Sequence, residues 1–294
     1  MALEDALAQR ARNGTPGTLE ANLIAQGEGW TVEDVLCTSD RRDRTFEERH
    51  AWYRVVIIAA GSFQYRSETG RELMTPGSLL LGNTGECFEC GHDHAAGDRC
   101  VAFGFAPEFF DRLWREAREA NAYARPRFTH ARVPPLRALS TTIASACTAL
   151  TEGERQDANW EELALKLAAQ TVQLTTGEPP PRPAIPPSTE ARVTRAARLI
   201  DRDCSAALSL ATLAREARLS PYHFLRTFEH LTGLTPHQYV RRARLREAAQ
   251  RLATEPIKIV DIALESGFGD VSTFNRAFRT EFGMNPQAYR LRMR

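Results

Sequence analysis

The chain has 294 residues, 43% hydrophobic and 26% charged, an ordinary globular composition with room for two domains and a linker. No run of about 18 apolar residues exists, which excludes a membrane-spanning helix. The opening segment MALEDALAQRARNG lacks the apolar stretch of a signal peptide, so a cytoplasmic location without a membrane partner is expected.

The net charge of +1 hides a split. Residues 189–294 hold 18 Lys and Arg against 11 Asp and Glu, which is +7, and residues 1–188 carry −6. A basic end joined to an acidic body fits a nucleic-acid binder with a separate sensing domain; two unrelated charge fluctuations would look the same.

In chain order, residues 52–105 read as short strands: Trp52–Ile58, Ser62–Arg66, Arg71–Met74, Ser78–Leu81 and Cys100–Phe105. They are apolar, β-branched or alternating, and the turn signals Glu68-Thr-Gly70 and Thr75-Pro-Gly77 break them up. This pattern predicts a small antiparallel sandwich or barrel. Three helices are expected next: one opened by Pro107 with Phe109, Phe110, Leu113 and Trp114 on one face, then Leu136–Leu150 and Trp160–Leu174. The last two are expected to pack on the β domain, a contact with a second copy being the alternative.

Within the strand region, Cys87, Cys90, His92, His94 and Cys100 lie close together in sequence, and a turn between strands is expected there. Thiolates and imidazoles at such spacing suit zinc, the one cofactor anticipated. A reversible disulfide between Cys87 and Cys90 is a second reading. A buried Cys100 with incidental neighbours is the third.

Glu178–Ser188 contains six prolines, and this stiff, extended spacer separates a domain at 1–177 from one at 189–294. The latter is all helix and internally repeated. Phe224, Arg226, Phe228, Gly233, Pro236 and Tyr239 return as Phe274, Arg276, Phe278, Gly283, Pro286 and Tyr289 at a shift of 50, which is 49 before the turn.

Each copy reads as helix, turn, helix. Ser220 and Asp270 are N-caps of the second helices, and Gly233 and Gly283 close them. Phe224, Phe228 and Leu231, like Phe274, Phe278 and Phe282, form the core face. The opposite faces carry Tyr222, Leu225 and Arg226 in one copy and Ser272, Asn275, Arg276 and Arg279 in the other, able to reach base edges and phosphates from a major groove. Thr235–Leu252 is a single helix that sets the two units roughly one DNA turn apart. Its Arg241, Arg242 and Arg244 either bind phosphate or form a solvated face.

Residues 190–290 resemble the DNA-binding domain of the AraC/XylS family of bacterial regulators, through Asp261-Ile-Ala-Leu-Glu-Ser-Gly-Phe-Gly-Asp-Val-Ser-Thr-Phe-Asn-Arg-Ala-Phe-Arg279 and Asn285-Pro-Gln-Ala-Tyr-Arg290. The resemblance implies an α+β protein: an N-terminal cupin-like antiparallel β domain with flanking helices, and a C-terminal all-α domain of two helix-turn-helix units joined by a long helix. It implies sequence-specific binding to double-stranded DNA, usually for activation, with RNA polymerase, a small-molecule or metal effector and a second copy of the chain as partners. Base-reading positions fall on Tyr222, Leu225 and Arg226, and on Val271, Ser272, Thr273 and Arg276. Leu225 departs from the polar residue often found there. His92-Asp-His94 resembles the metal-binding pair of cupins, whose remaining signature is not evident.

No Ser-His-Asp order, phosphate loop or paired carboxylates stand out, and the Pro-Cys-His-Arg setting of repair methyltransferases with related segments is missing. The expectation is a regulator and not an enzyme. The competing readings are a cupin-type metal-dependent enzyme, or a redox- or metal-sensing module with a DNA-binding appendage.

Overall fold

The computed structural model describes residues 3–45, 47–93, 96–118, 126–151, 160–175 and 185–293, the side chains of Thr151 and Tyr222 excepted. The chain divides into two compact units, one formed by Met1–Pro135 with Asn159–Pro186, the other by Leu136–Ala158 with Pro187–Arg294.

The first unit opens with helix α1 (Leu3–Asn13) and strands β1 (Leu19–Gly27), β2 (Trp30–Cys37), β3 (Glu47–Arg49), β4 (Tyr53–Gly61), β5 (Phe63–Ser67) and β6 (Gly70–Met74). Strands β7 (Leu79–Gly82), β8 (Cys87–Gly91) and β9 (Asp98–Phe105) follow, then α2 (Pro107–Arg118) and β10 (Arg132–Val133). Two antiparallel sheets result, ordered β1-β2-β9-β4-β7-β10 and β3-β8-β5-β6. Alternation directs one face of each strand inward: Ile58, Phe63, Tyr65, Met74, Leu80 and Cys100 form one buried cluster, with Phe88 and Cys90 of β8 packed on it.

The strands expected in 52–105 are all present. The structure adds β1 and β2, and it corrects the turn expected at the cysteine cluster, because Cys87–Gly91 is itself a strand. Its alternation is carried by two cysteines, a phenylalanine and a glutamate, and so lacks a β-branched apolar run. The face of α2 predicted to be buried is buried at Phe110, Leu113 and Trp114. Helix α4 (Trp160–Leu174) packs on α2, β1, β2 and β4 as expected.

Helix α3 (Ser140–Thr151) does not follow that expectation. It precedes α4 in the chain yet packs in the second unit, on α8 (Pro236–Thr254) and α10 (Val271–Phe282). The other helices of that unit are α5 (Pro187–Arg202), α6 (Leu210–Glu216), α7 (Pro221–Thr232), α9 (Ile259–Glu265) and α11 (Pro286–Met293). Of the expected proline-rich spacer, residues 178–184 lie outside the described residues. Pro187 and Ser188 begin α5, where the missing proline amide costs nothing because first-turn amides have no helical acceptor.

The repeat produces two cores. Phe224, Phe228, Tyr239 and Leu213 pack with Val193, Ala196, Ala197 and Ile200 of α5. Phe274, Phe278, Phe282, Tyr289 and Ile262 pack with Leu245 and Leu252 of α8 and with Ala144 of α3. Each helix-turn-helix is thus covered by a preceding helix, α5 for the first and α3 for the second.

Candidate nucleic-acid interface

The two second helices are delimited by the same local chemistry. Ser220 Oγ accepts the His223 amide at 3.3 Å to start α7, and Asp270 Oδ1 accepts the Thr273 amide at 2.7 Å to start α10. Both helices end on a left-handed glycine, Gly233 at φ 77° and Gly283 at φ 75°. Thr235 and Gln238 form a capping box, with Pro236 next, so the 19-residue α8 has a firm start. At 1.5 Å per residue it spans about 28 Å, somewhat under the roughly 34–36 Å rise of one DNA turn.

The turns differ as the one-residue change of shift predicts. Arg218 takes a left-handed φ of 51° in the first turn, and Gly267, at the matching place in the second, takes 86°. Gly267 has no room for a side chain: a Cβ there would stand 2.7 Å from the Ser205 carbonyl oxygen and 2.9 Å from Arg244 Nε.

On α7 the core face holds Phe224 and Phe228, and Arg226 is exposed with Leu225 partly so. The side chain of Tyr222 lies outside the described residues. On α10 Phe274 and Phe278 are buried, Ser272, Thr273, Asn275, Arg276 and Arg279 are exposed, and Val271 is half-buried. All the described positions expected to meet DNA are therefore solvent-accessible on the two second helices.

A cleft of about 860 Å³ runs between the two helix-turn-helix units along α8. Leu225 lines one side and Thr273 and Arg276 the other, with His237 and Arg241 contributed by α8. Sequence reading did not single out His237, which follows a proline at a helix start and carries no periodic signal.

Arg241, Arg242 and Arg244 of α8 separate. Arg241 is exposed. Arg242 Nε pairs with Glu281 Oε1 of α10 at 3.1 Å, both side chains nearly buried, and Ser140 of α3 donates to the same carboxylate oxygen. Arg244 donates to three backbone carbonyls. Arg242 and Arg244 thus serve inside the domain, which corrects both roles anticipated for them.

The cysteine–histidine cluster is also rearranged. Cys87 points away from the sheet core toward Glu47 and Arg49, because it is out of phase with Phe88 and Cys90. Opposite faces of one strand keep Cys87 and Cys90 apart, so the disulfide reading lacks its geometry. His94 lies outside the described residues. His92 and Cys100 are buried, and they meet Asp98 and Cys37, two residues not counted among the candidates. Burial works against a charge on His92, but its hydrogen bonds to Asp98 and Cys37, with the charges of those two groups, prevail and raise its pKa to about 9. Burial and the Asp98 charge push the Cys90 and Cys100 thiols well up.

Two second helices on one rod, each started by an oxygen-bearing cap and closed by a left-handed glycine, with arginine on their open faces, define a double helix-turn-helix DNA-binding protein. The comparisons agree. Residues 213–292 match the helix-turn-helix domain model and residues 34–172 the AraC-like ligand binding domain model. The chain is 35% identical to the regulatory protein SoxS of Salmonella typhimurium, over 32% of its own length and 88% of that protein. It is 37% identical to the probable transcription factor PqrA of Proteus vulgaris, over 28% of its own length and 68% of that protein. A transcriptional regulator structure from Chromobacterium violaceum is 27% identical, covers 36% of this chain and 94% of its own, and has a TM-score of 0.34. The chain belongs to the AraC family of transcription regulators. No described helix is long and apolar enough to cross a membrane.

Proposed function

We propose that the protein acts in the cytoplasm by laying α7 and α10 into successive major grooves of a promoter site, so that Arg226 and Arg276 meet base edges, and that it works by binding and not by catalysis. The observation that carries this reading is the matched pair of capped, arginine-bearing helices held by α8, with their polar faces open. Arg241 and His237 of α8, beside the cleft, suit the phosphates between the two grooves.

The β unit receives the controlling ligand, and RNA polymerase is the partner through which a bound regulator acts. The path of the chain supports this: after Pro135 of the β unit it contributes α3 to the core of the second helix-turn-helix, and from Trp160 its helix α4 packs again in the β unit. A ligand that shifts the ends of this segment changes the support of α10, which biases the DNA-competent arrangement.

Footprinting on the promoter beside the protein's own gene tests the reading, with titrations at several salt concentrations. Protection of two sites one turn apart, with affinity well above that for unrelated duplex, is expected. Equal affinity for all sequences at moderate salt would remove it.

A further inference from the structure

Four side chains from distant parts of the chain converge inside the β unit. Cys37 ends β2, His92 follows β8, and Asp98 and Cys100 lie on β9. One donor atom each from Cys37, His92 and Asp98 lies within 4.8 Å of the other two, and all three residues are buried. Asp98 is central: Oδ1 is 2.7 Å from His92 Nε2, and Oδ2 accepts the Cys100 thiol at 3.1 Å.

The register explains the meeting. Cys37 stands opposite Asp98 in the β2–β9 ladder, and Cys100, two residues on, shares that face. Strand β8 of the other sheet carries His92 to the same end of the core.

We propose that Cys37, His92, Asp98 and Cys100 form a binding site for a zinc-class divalent ion. Two sulfurs, an imidazole and a carboxylate are the donor types that zinc accepts, and four is its usual structural count. Zinc–donor bonds of roughly 2.0–2.3 Å place tetrahedral donors about 3.3–3.8 Å apart, so Cys37, His92 and Asp98, now within 4.8 Å of one another, draw in by about an ångström. Cys100, which meets that trio through Asp98, closes on them as the fourth donor. Burial makes this a closed site, not one open to substrate. Because β2 and β9 belong to one sheet and β8 to the other, the ion staples the two sheets together. The proposal goes beyond the DNA-binding reading and does not depend on it, since every donor lies in the β unit.

The test is titration of the reduced full-length protein with Co²⁺, followed by competition with Zn²⁺. Thiolate-to-cobalt charge-transfer absorption is expected, with strong visible bands of a four-coordinate ion, saturating at a single ion per chain and bleached by Zn²⁺. Zn²⁺ should also raise the thermal midpoint of the wild-type chain, since an ion that binds only the folded state stabilises it. Cys37→Ser and Asp98→Asn should weaken Co²⁺ by more than the roughly 10–100-fold typical of outer-sphere partners. Cys87→Ser, on the far face of β8, should leave binding unchanged and shows that thiol number alone is not the cause.

Absence of charge-transfer absorption in the reduced wild-type chain would overturn the site and leave His92–Asp98 as a structural ion pair; this reading needs no variant to fold. Equal loss in Cys87→Ser would overturn it too. Retention by Cys100→Ser together with loss in Cys90→Ser would overturn the assigned fourth donor.

Discussion

Arg244, in the middle of α8, donates from Nη1 to the carbonyl of Gly267 in the second helix-turn-helix turn at 2.7 Å. The same guanidinium bonds the carbonyls of Cys204 at 2.7 Å and Ala206 at 2.8 Å, in the loop before the first unit. One planar fork therefore ties the connecting rod to both halves of the DNA-binding domain. Arg244→Ala strands three carbonyls and should cost about 2–4 kcal/mol of stability. Arg244→Lys should recover only part, because an ammonium cannot reproduce the fork. Urea unfolding checks both; a midpoint unchanged in Arg244→Ala would show that the contacts carry no weight.

The two turns predict opposite responses to substitution. Gly267→Ala meets both a positive φ and the Ser205 backbone, and should destabilise by more than about 1–2 kcal/mol. Arg218→Gly removes a strained side chain from the matching place and should be neutral or stabilising by up to about 1 kcal/mol. Thermal melts of the two variants side by side decide it, and the idea fails if both move the midpoint in the same direction.

Arg276 is exposed on α10 and lines the cleft, so its truncation leaves the fold intact. Arg276→Ala should weaken binding to the footprinted site by about 1–3 kcal/mol and relax the preference for one base pair. Gel-shift titrations against single-base variants of the site measure this. A uniform loss across all sequences would instead make Arg276 a phosphate contact.

His50 gives the β unit a defined acid sensitivity. Its ring stacks on Phe88 at 4.0 Å and its Nε2 lies 2.9 Å from the Tyr65 hydroxyl. Burial, aided by the Arg54 charge, lowers its pKa from 6.5 to about 4. Between those values the folded state binds fewer protons than the unfolded one. The stability this neutral ring contributes is full above pH 6.5 and is lost as the pH falls through 4, up to about 3 kcal/mol. His50→Gln should flatten that stretch of the stability–pH curve; a curve parallel to the wild type would contradict the assignment.

The duplication, both N-caps, the closing glycines, the start of α8 and the core faces of α7 and α10 were legible in the residues themselves. Each is written within one helical turn or one repeat: a hydroxyl or carboxylate beside free amides, a residue type that tolerates positive φ, aromatics spaced i, i+4. The alternating strands of 52–105 were legible for the same reason. Tertiary structure alone decided that α3 joins the second helix-turn-helix, that Arg242 and Arg244 turn inward, and that Cys37 and Asp98 meet His92. These depend on partners far along the chain, Ser140 and Glu281 being 141 residues apart. No local period marks such a meeting; the strand ladder and the helix packing create it when the chain closes on itself.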